Sequence, residues 1–248
     1  MLVIDARVPM IASTNDHEAN ASKPYAVPQY SNLQSPIMAS DSSRVSSEPS
    51  FWDMRYAREN PLFGTVPSAF VMKHAHTIPR GADVLEIGAG QGRTLVALAE
   101  ARGIRGTALD FSNEALCAAA KLAEGNGVDL DIICSDVRTW SPTRTWDAVV
   151  VTFVQLLSDE RHRLYETVRA CLRPGGWVLG QWFRPQHLNG TYDRVGPNRK
   201  DRMVPVEELE AAFRSADRIV CEPADVTLNE GQLCGHAATV HLVAQMTG

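Results

Sequence analysis

The chain has 248 residues, 44% of them hydrophobic and 21% charged, a balance that argues against disorder as the dominant state and can supply a large core. A formal net charge of -5 argues against a general nucleic-acid binder, which needs a basic face to release counterions from phosphates. No apolar run approaches a membrane-spanning length, the N-terminus lacks the pattern of a leader peptide, and the five cysteines are scattered without metal-type pairs. The expectation is a cytoplasmic protein with reduced thiols, no bound metal, and no membrane or nucleic-acid partner.

Residues 1–50 mix Ser, Asn, Pro and Ala, most densely in SDSSRVSSEPS, and read as a disordered or loosely attached tail before a single domain of residues 51–248. From Asp83 onward, apolar runs alternate with helical segments, the pattern of a parallel sheet with helices on both faces. Strands are expected at 83–87, 105–109, 131–134, 148–153, 177–183, 218–226 and 237–244, and helices at 94–101, 113–124, 159–171 and 206–215. The last two strands have only a turn region, 227–235, between them, which predicts an antiparallel hairpin.

The first strand ends in Glu86 and runs into Gly88-Ala89-Gly90-Gln91-Gly92, a strand turning into a helix around a nucleotide-like ligand. A dinucleotide fingerprint places its third glycine three residues after the second, to admit a pyrophosphate; here the gap is two. Glu86 would repel a pyrophosphate and attract the ammonium of an amino-acid moiety. Together these features point to S-adenosylmethionine (SAM). Asp110 ends the second strand where vicinal ribose hydroxyls would be held, with a helix N-cap role as the structural alternative. Asp136 and Val137 follow the third strand, where an adenine needs one acceptor, one donor and apolar walls.

The series EIGAGQG, ALDFS, CSDV, WDAVVVTF and LRPGGWVLGQWF resembles the motif set of class I SAM-dependent methyltransferases, and from Phe51 onward the chain is similar to their small tellurite-resistance and thiopurine methyltransferase-like group. The resemblance implies an α/β, Rossmann-like doubly wound sheet of seven strands in the order 3-2-1-4-5-7-6, the last antiparallel. It implies that Glu86, Gly88, Ala89, Gly90 and Gly92 form the methionine-side loop. Asp110 and Phe111 would hold the ribose and adenine edge, Asp136 and Val137 the adenine, and Thr152 and Phe153 would lie beneath the sulfonium. Trp52 and Arg55 match an N-terminal lid, with Trp52 equally readable as a packing residue. Cys234, His236 and Gln155 depart from the group's pattern, so the tellurite or thiopurine substrate is not carried over.

The region after the fifth strand, 184–203, falls over the substrate side of the sheet. Arg184, His187, Tyr192 and Arg194 are its substrate-side candidates. His187, with Tyr192, is the catalytic candidate, His187 being readable either as a base or as a solvated loop histidine. The expected activity is methyl transfer by direct displacement to a small molecule through S, O or N, in a monomer or homodimer. The competing readings are an NAD(P)-dependent oxidoreductase and a SAM-binding regulatory subunit without turnover.

Overall fold

A computed structural model describes residues 45–58 and 61–248. Seven strands, β1 (Asp83–Ile87), β2 (Arg105–Asp110), β3 (Leu130–Cys134), β4 (Trp146–Thr152), β5 (Leu172–Phe183), β6 (Ala216–Glu230) and β7 (Leu233–Met246), form one sheet in the order β3-β2-β1-β4-β5-β7-β6. The pairs among β1 to β5 are parallel, while β7 runs antiparallel to both β5 and β6. All five residues of β1 are buried, as a central strand covered on both faces requires. Successive side chains point to opposite faces, so Leu85, Ile87, Val149 and Val151 join one core with Trp146, Leu164 and Trp182. Val84, Ala148 and Val150 join the other, with Leu95, Leu98 and Leu179.

The helices are α1 (Pro49–Arg58), α2 (Ala69–His74), α3 (Arg93–Arg102), α4 (Asn113–Gly125), α5 (Arg161–Ala170) and α6 (Val206–Ala212). Ser112 caps α4, its hydroxyl accepting from the Ala115 amide at 3.2 Å, so the N-cap alternative for Asp110 falls to its neighbour. Asp53 of α1 accepts from Ser112 Oγ at 2.7 Å and from the Glu114 amide at 3.3 Å, which docks α1 on the start of α4.

Three expectations are corrected. Helices α1 and α2 were unforeseen: α2 has six residues and owes its start to Ser68, whose Oγ accepts from the Val71 amide. Secondary structure also begins before Phe51. Residues Val45–Ser47 form a 3-10 turn, and Ser47 is buried; the rest of the expected tail, 1–44, lies outside the described residues. Finally, the terminal hairpin is far longer than expected, with Gly231 and Gln232 alone between β6 and β7. Gly231 supplies the positive φ (59°) that so tight a turn needs.

Candidate functional site

The carboxyl ends of β1, β2 and β4, the lid helix α1 and the loop after β5 enclose a cavity of about 1150 Å³. Its floor is the glycine loop after β1. The amides of Gly88 and Ala89 both donate to Leu109 O, at 2.8 and 3.1 Å, and the Gly90 amide donates to Asp110 Oδ2 at 2.9 Å, tying the loop to β2. A Cβ on Gly88 would lie 2.4 Å from Val154 Cγ2, and one on Gly90 2.8 Å from Tyr56 Oη, both at positive φ, so no side chain fits. Gly92 differs. It starts α3 at φ 72°, packs against Ala119 and does not border the cavity, which corrects its assignment as a ligand contact.

Glu86 is 2% exposed, and its Oε2 has no hydrogen-bond partner among the described residues. Burial pushes its carboxyl up to about 8, with Arg93 pulling the other way. Arg93 is itself engaged with Glu230 of the terminal hairpin and with Val66 O. Asp110 is also raised by burial, although backbone amides, including those of Ser112 and Gly90, favour its charged form. Asp136 is less available than expected. Burial raises its carboxyl, but the Arg138 guanidinium, 2.6 Å from Oδ2, outweighs this and holds it below the ordinary range.

The lid lies across this floor. Trp52 Nε1 donates to Ser46 O at 2.9 Å, Arg55 stacks over Phe51 and Trp52 at 5.6 and 5.2 Å, and Arg55 also bonds Gln232 at the hairpin turn. Two arginines of the cavity wall grip Ser47: Arg138 Nη2 donates to its carbonyl and Arg202 Nη2 to its hydroxyl, each at 2.7 Å. Tyr56, buried beside Gly90, Asp110 and Glu86, has its phenol pushed well up by burial first and then by Asp110. Sequence reasoning missed Tyr56, Ser47, Arg138 and Arg202. Arg138 alone carried a local signal, two residues beyond a strand-end acid.

Ala89, Phe111, Val137 and Thr152 border the cavity, as do Glu86, Gly88, Gly90, Asp110, Asp136, Trp52 and Arg55. Phe153 borders it too. At φ 56° it holds the sole left-handed backbone of a non-glycine residue among the described residues, an unfavourable state that concentrates at functional sites.

The roof departs from expectation. Arg184 points away to Asp225 at 2.5 Å and does not border the cavity. His187 does, but it is 5% exposed and both ring nitrogens are occupied. Nδ1 accepts from the Ala238 amide at 3.2 Å, so Nε2 carries the proton and donates to Val195 O at 2.7 Å. No lone pair is left to take a proton, which removes His187 as a base. The Tyr192 hydroxyl donates to Asp225 at 2.9 Å, and that bond raises its phenol, so Tyr192 is no base either. Arg194 borders the cavity with an exposed side chain.

Residues 84–176 match the family profile described as a methyltransferase domain. A phosphatidylethanolamine N-methyltransferase of Cereibacter sphaeroides is 32% identical over 108 residues, 42% of this chain and 52% of that protein. The chain thus spans about half the length of that curated relative. Among solved structures, a DhpI complex with S-adenosylhomocysteine aligns at 21% identity and TM-score 0.55, covering 82% of this chain and 97% of the other. TehB from Haemophilus influenzae aligns at 16% identity and TM-score 0.58, covering 71% and 61%. At such identities the likeness speaks for the fold.

Proposed function

We propose that residues 84–176, which match a methyltransferase-domain profile, are the core of a class I SAM-dependent methyltransferase, and that the protein binds SAM in this cavity and transfers its methyl group by direct displacement to a small molecule with a sulfur, oxygen or nitrogen nucleophile. The observation that carries the reading is the unpartnered Glu86 oxygen, buried beside a loop whose Gly88 and Gly90, both at positive φ, leave no room for a Cβ. A carboxyl in that position accepts from an ammonium, and Asp110 at the end of β2 has acceptor capacity left for vicinal hydroxyls. Ala89, Gly90 and Phe111 would complete the cofactor's bed, with Val137 and Asp136 at the adenine and Thr152 beside the sulfonium. When bound, SAM supplies an electrophilic methyl group.

What remains for the protein is to align a nucleophile and exclude water, and such alignment supplies about 7 to 11 kcal/mol. The lid formed by α1 and the hairpin turn does the excluding. With His187 and Tyr192 occupied, the acceptor attacks through its own lone pair, as a neutral amine, a thiolate or another group ionised before it binds. We further read the five free cysteines as those of a cytoplasmic protein.

Calorimetry with SAM, S-adenosylhomocysteine, NADH and NADPH tests the proposal. Binding of the first two alone is the expected result; binding of a dinucleotide alone refutes it and favours the oxidoreductase. A protein that binds SAM but labels nothing when incubated with methyl-labelled SAM and cell extract is the regulatory subunit instead.

A further inference from the structure

We infer that the acceptor end of the cavity is shaped for a flat aromatic molecule with a hydrogen-bond donor and a hydrogen-bond acceptor on one edge, and that Gln155 reads this edge. The inference rests on the methyltransferase reading above. A file of rings starts at Phe153, which the cofactor reading places beneath the sulfonium. Phe153 and Phe183 lie 5.2 Å apart between centroids, Phe183 and His187 4.7 Å, and His187 and Tyr192 5.7 Å. All four border the cavity, Phe153 and Tyr192 partly exposed and Phe183 and His187 buried, so aromatic side chains gather where the acceptor must sit. Rings prefer ring partners at these separations, in offset or tilted arrangements.

Gln155 lies two residues beyond Phe153 and borders the same cavity. Its Nε2 and Oε1 are both buried without a hydrogen-bond partner among the described residues, and buried polar groups left this way are uncommon in folded proteins. The backbone around it is held fast. Arg202 Nη1 donates to Gln155 O at 2.8 Å, and Trp182 Nε1 donates to Val154 O at 3.1 Å. A carboxamide presents one N–H face and one C=O in a single plane, matched by the edge of an amide, a lactam or an amino-substituted nitrogen heterocycle. Being uncharged, it suits a neutral edge.

The test uses protein saturated with S-adenosylhomocysteine and three probes whose binding is followed by NMR: benzamide, acetophenone, which lacks the donor, and cyclohexanecarboxamide, whose ring is saturated and not flat. Benzamide is expected to bind about tenfold tighter than either. Gln155→Leu should erase its advantage over acetophenone while affinity for S-adenosylhomocysteine stays within about twofold. Equal binding of the three probes, no binding of benzamide, or an unchanged preference in Gln155→Leu overturns the inference. So does a loss of more than about tenfold in affinity for S-adenosylhomocysteine, which would assign Gln155 to the cofactor. The wild-type ranking decides on its own if the variant melts early. Failure of the wild type to take up S-adenosylhomocysteine is a different outcome: it removes the methyltransferase reading and this inference with it.

Discussion

Glu86 should make SAM binding pH-dependent in a direction its burial dictates. In the ligand-free fold its carboxyl is raised from 4.5 to about 8, so at pH 7 it is mostly protonated. Accepting from an ammonium requires the carboxylate, and removing the proton costs about 1.4 kcal/mol at pH 7 and twice that at pH 6. SAM affinity should therefore climb by up to about tenfold per pH unit from 6 towards 7.5, peak at about 8, and fall above it as the free ligand's ammonium, ordinarily titrating at about 7.7 to 8.0, loses its proton. Glu86→Gln should abolish the climb. The charge-assisted bond is worth about 1.5 to 3 kcal/mol, so the variant should bind like the wild type near pH 6 and about 10- to 150-fold worse at pH 8.5. Calorimetry in two buffers of different ionisation enthalpy counts the protons, and nearly one should be released per SAM at pH 7. Without ligand the sign reverses. Below about 4.5 the carboxyl is protonated whether the chain is folded or not; above it the unfolded chain sheds the proton first, so the empty fold loses stability up to pH 8. Glu86→Gln should accordingly raise Tm at pH 8. Affinity that is flat with pH, or an equal slope in the variant, would refute the reasoning.

Gly88→Ala places a methyl group 2.4 Å from Val154 Cγ2 at φ 70°, so SAM affinity and Tm should both fall, and adding Val154→Ala should recover part of each by relieving the clash but not the torsion. Deleting residues 1–50 removes both Ser47 groups that Arg138 and Arg202 bond and should cost about 1 to 3 kcal/mol more, by denaturant titration, than deleting 1–44. At the opposite end of the strands, Asp83 bonds Arg105 and Arg173 at 2.7 Å each, and these partners hold its carboxyl below the usual range. Its contribution is present above its ordinary 3.8 and is lost as pH falls through the lower folded value, so Asp83→Asn should lower Tm at pH 7 and converge on the wild type in strong acid.

The parallel half of the fold was legible because its strands are continuous apolar runs punctuated by Gly and Asp. Expected and observed limits agree for β1 and differ by a few residues for β2 to β4 and for α3 to α5. The hairpin was underestimated because the ends of its strands, such as Thr227 to Glu230, carry turn-type polar residues that only tertiary packing turns into ladder. The acidic strand ends could be read from position alone, whereas the partners that tune them could not. Nothing local marks Ser47, inside a serine-rich tract, as the hydroxyl that a buried arginine 155 residues away will bond. His187 shows the converse. Its residue type suggested proton transfer, and only the Ala238 amide and Val195 carbonyl reveal that its ring is spent on holding the roof together.

The turn between β6 and β7 rests on the chain just after α1 like one finger on another: a Cβ on Gly231 would lie 2.4 Å from Gly64 N, and one on Gly64 3.1 Å from Gly231 N. The Gln232 amide donates to Leu62 O at 3.1 Å, and Arg55 and Arg93 grip the same turn from below. This clasp joins α1 to the terminal hairpin across the rim of the cavity. If that clasp must part to let a nucleoside-sized molecule leave, a single methyl group at either glycine should shorten its residence without touching the floor.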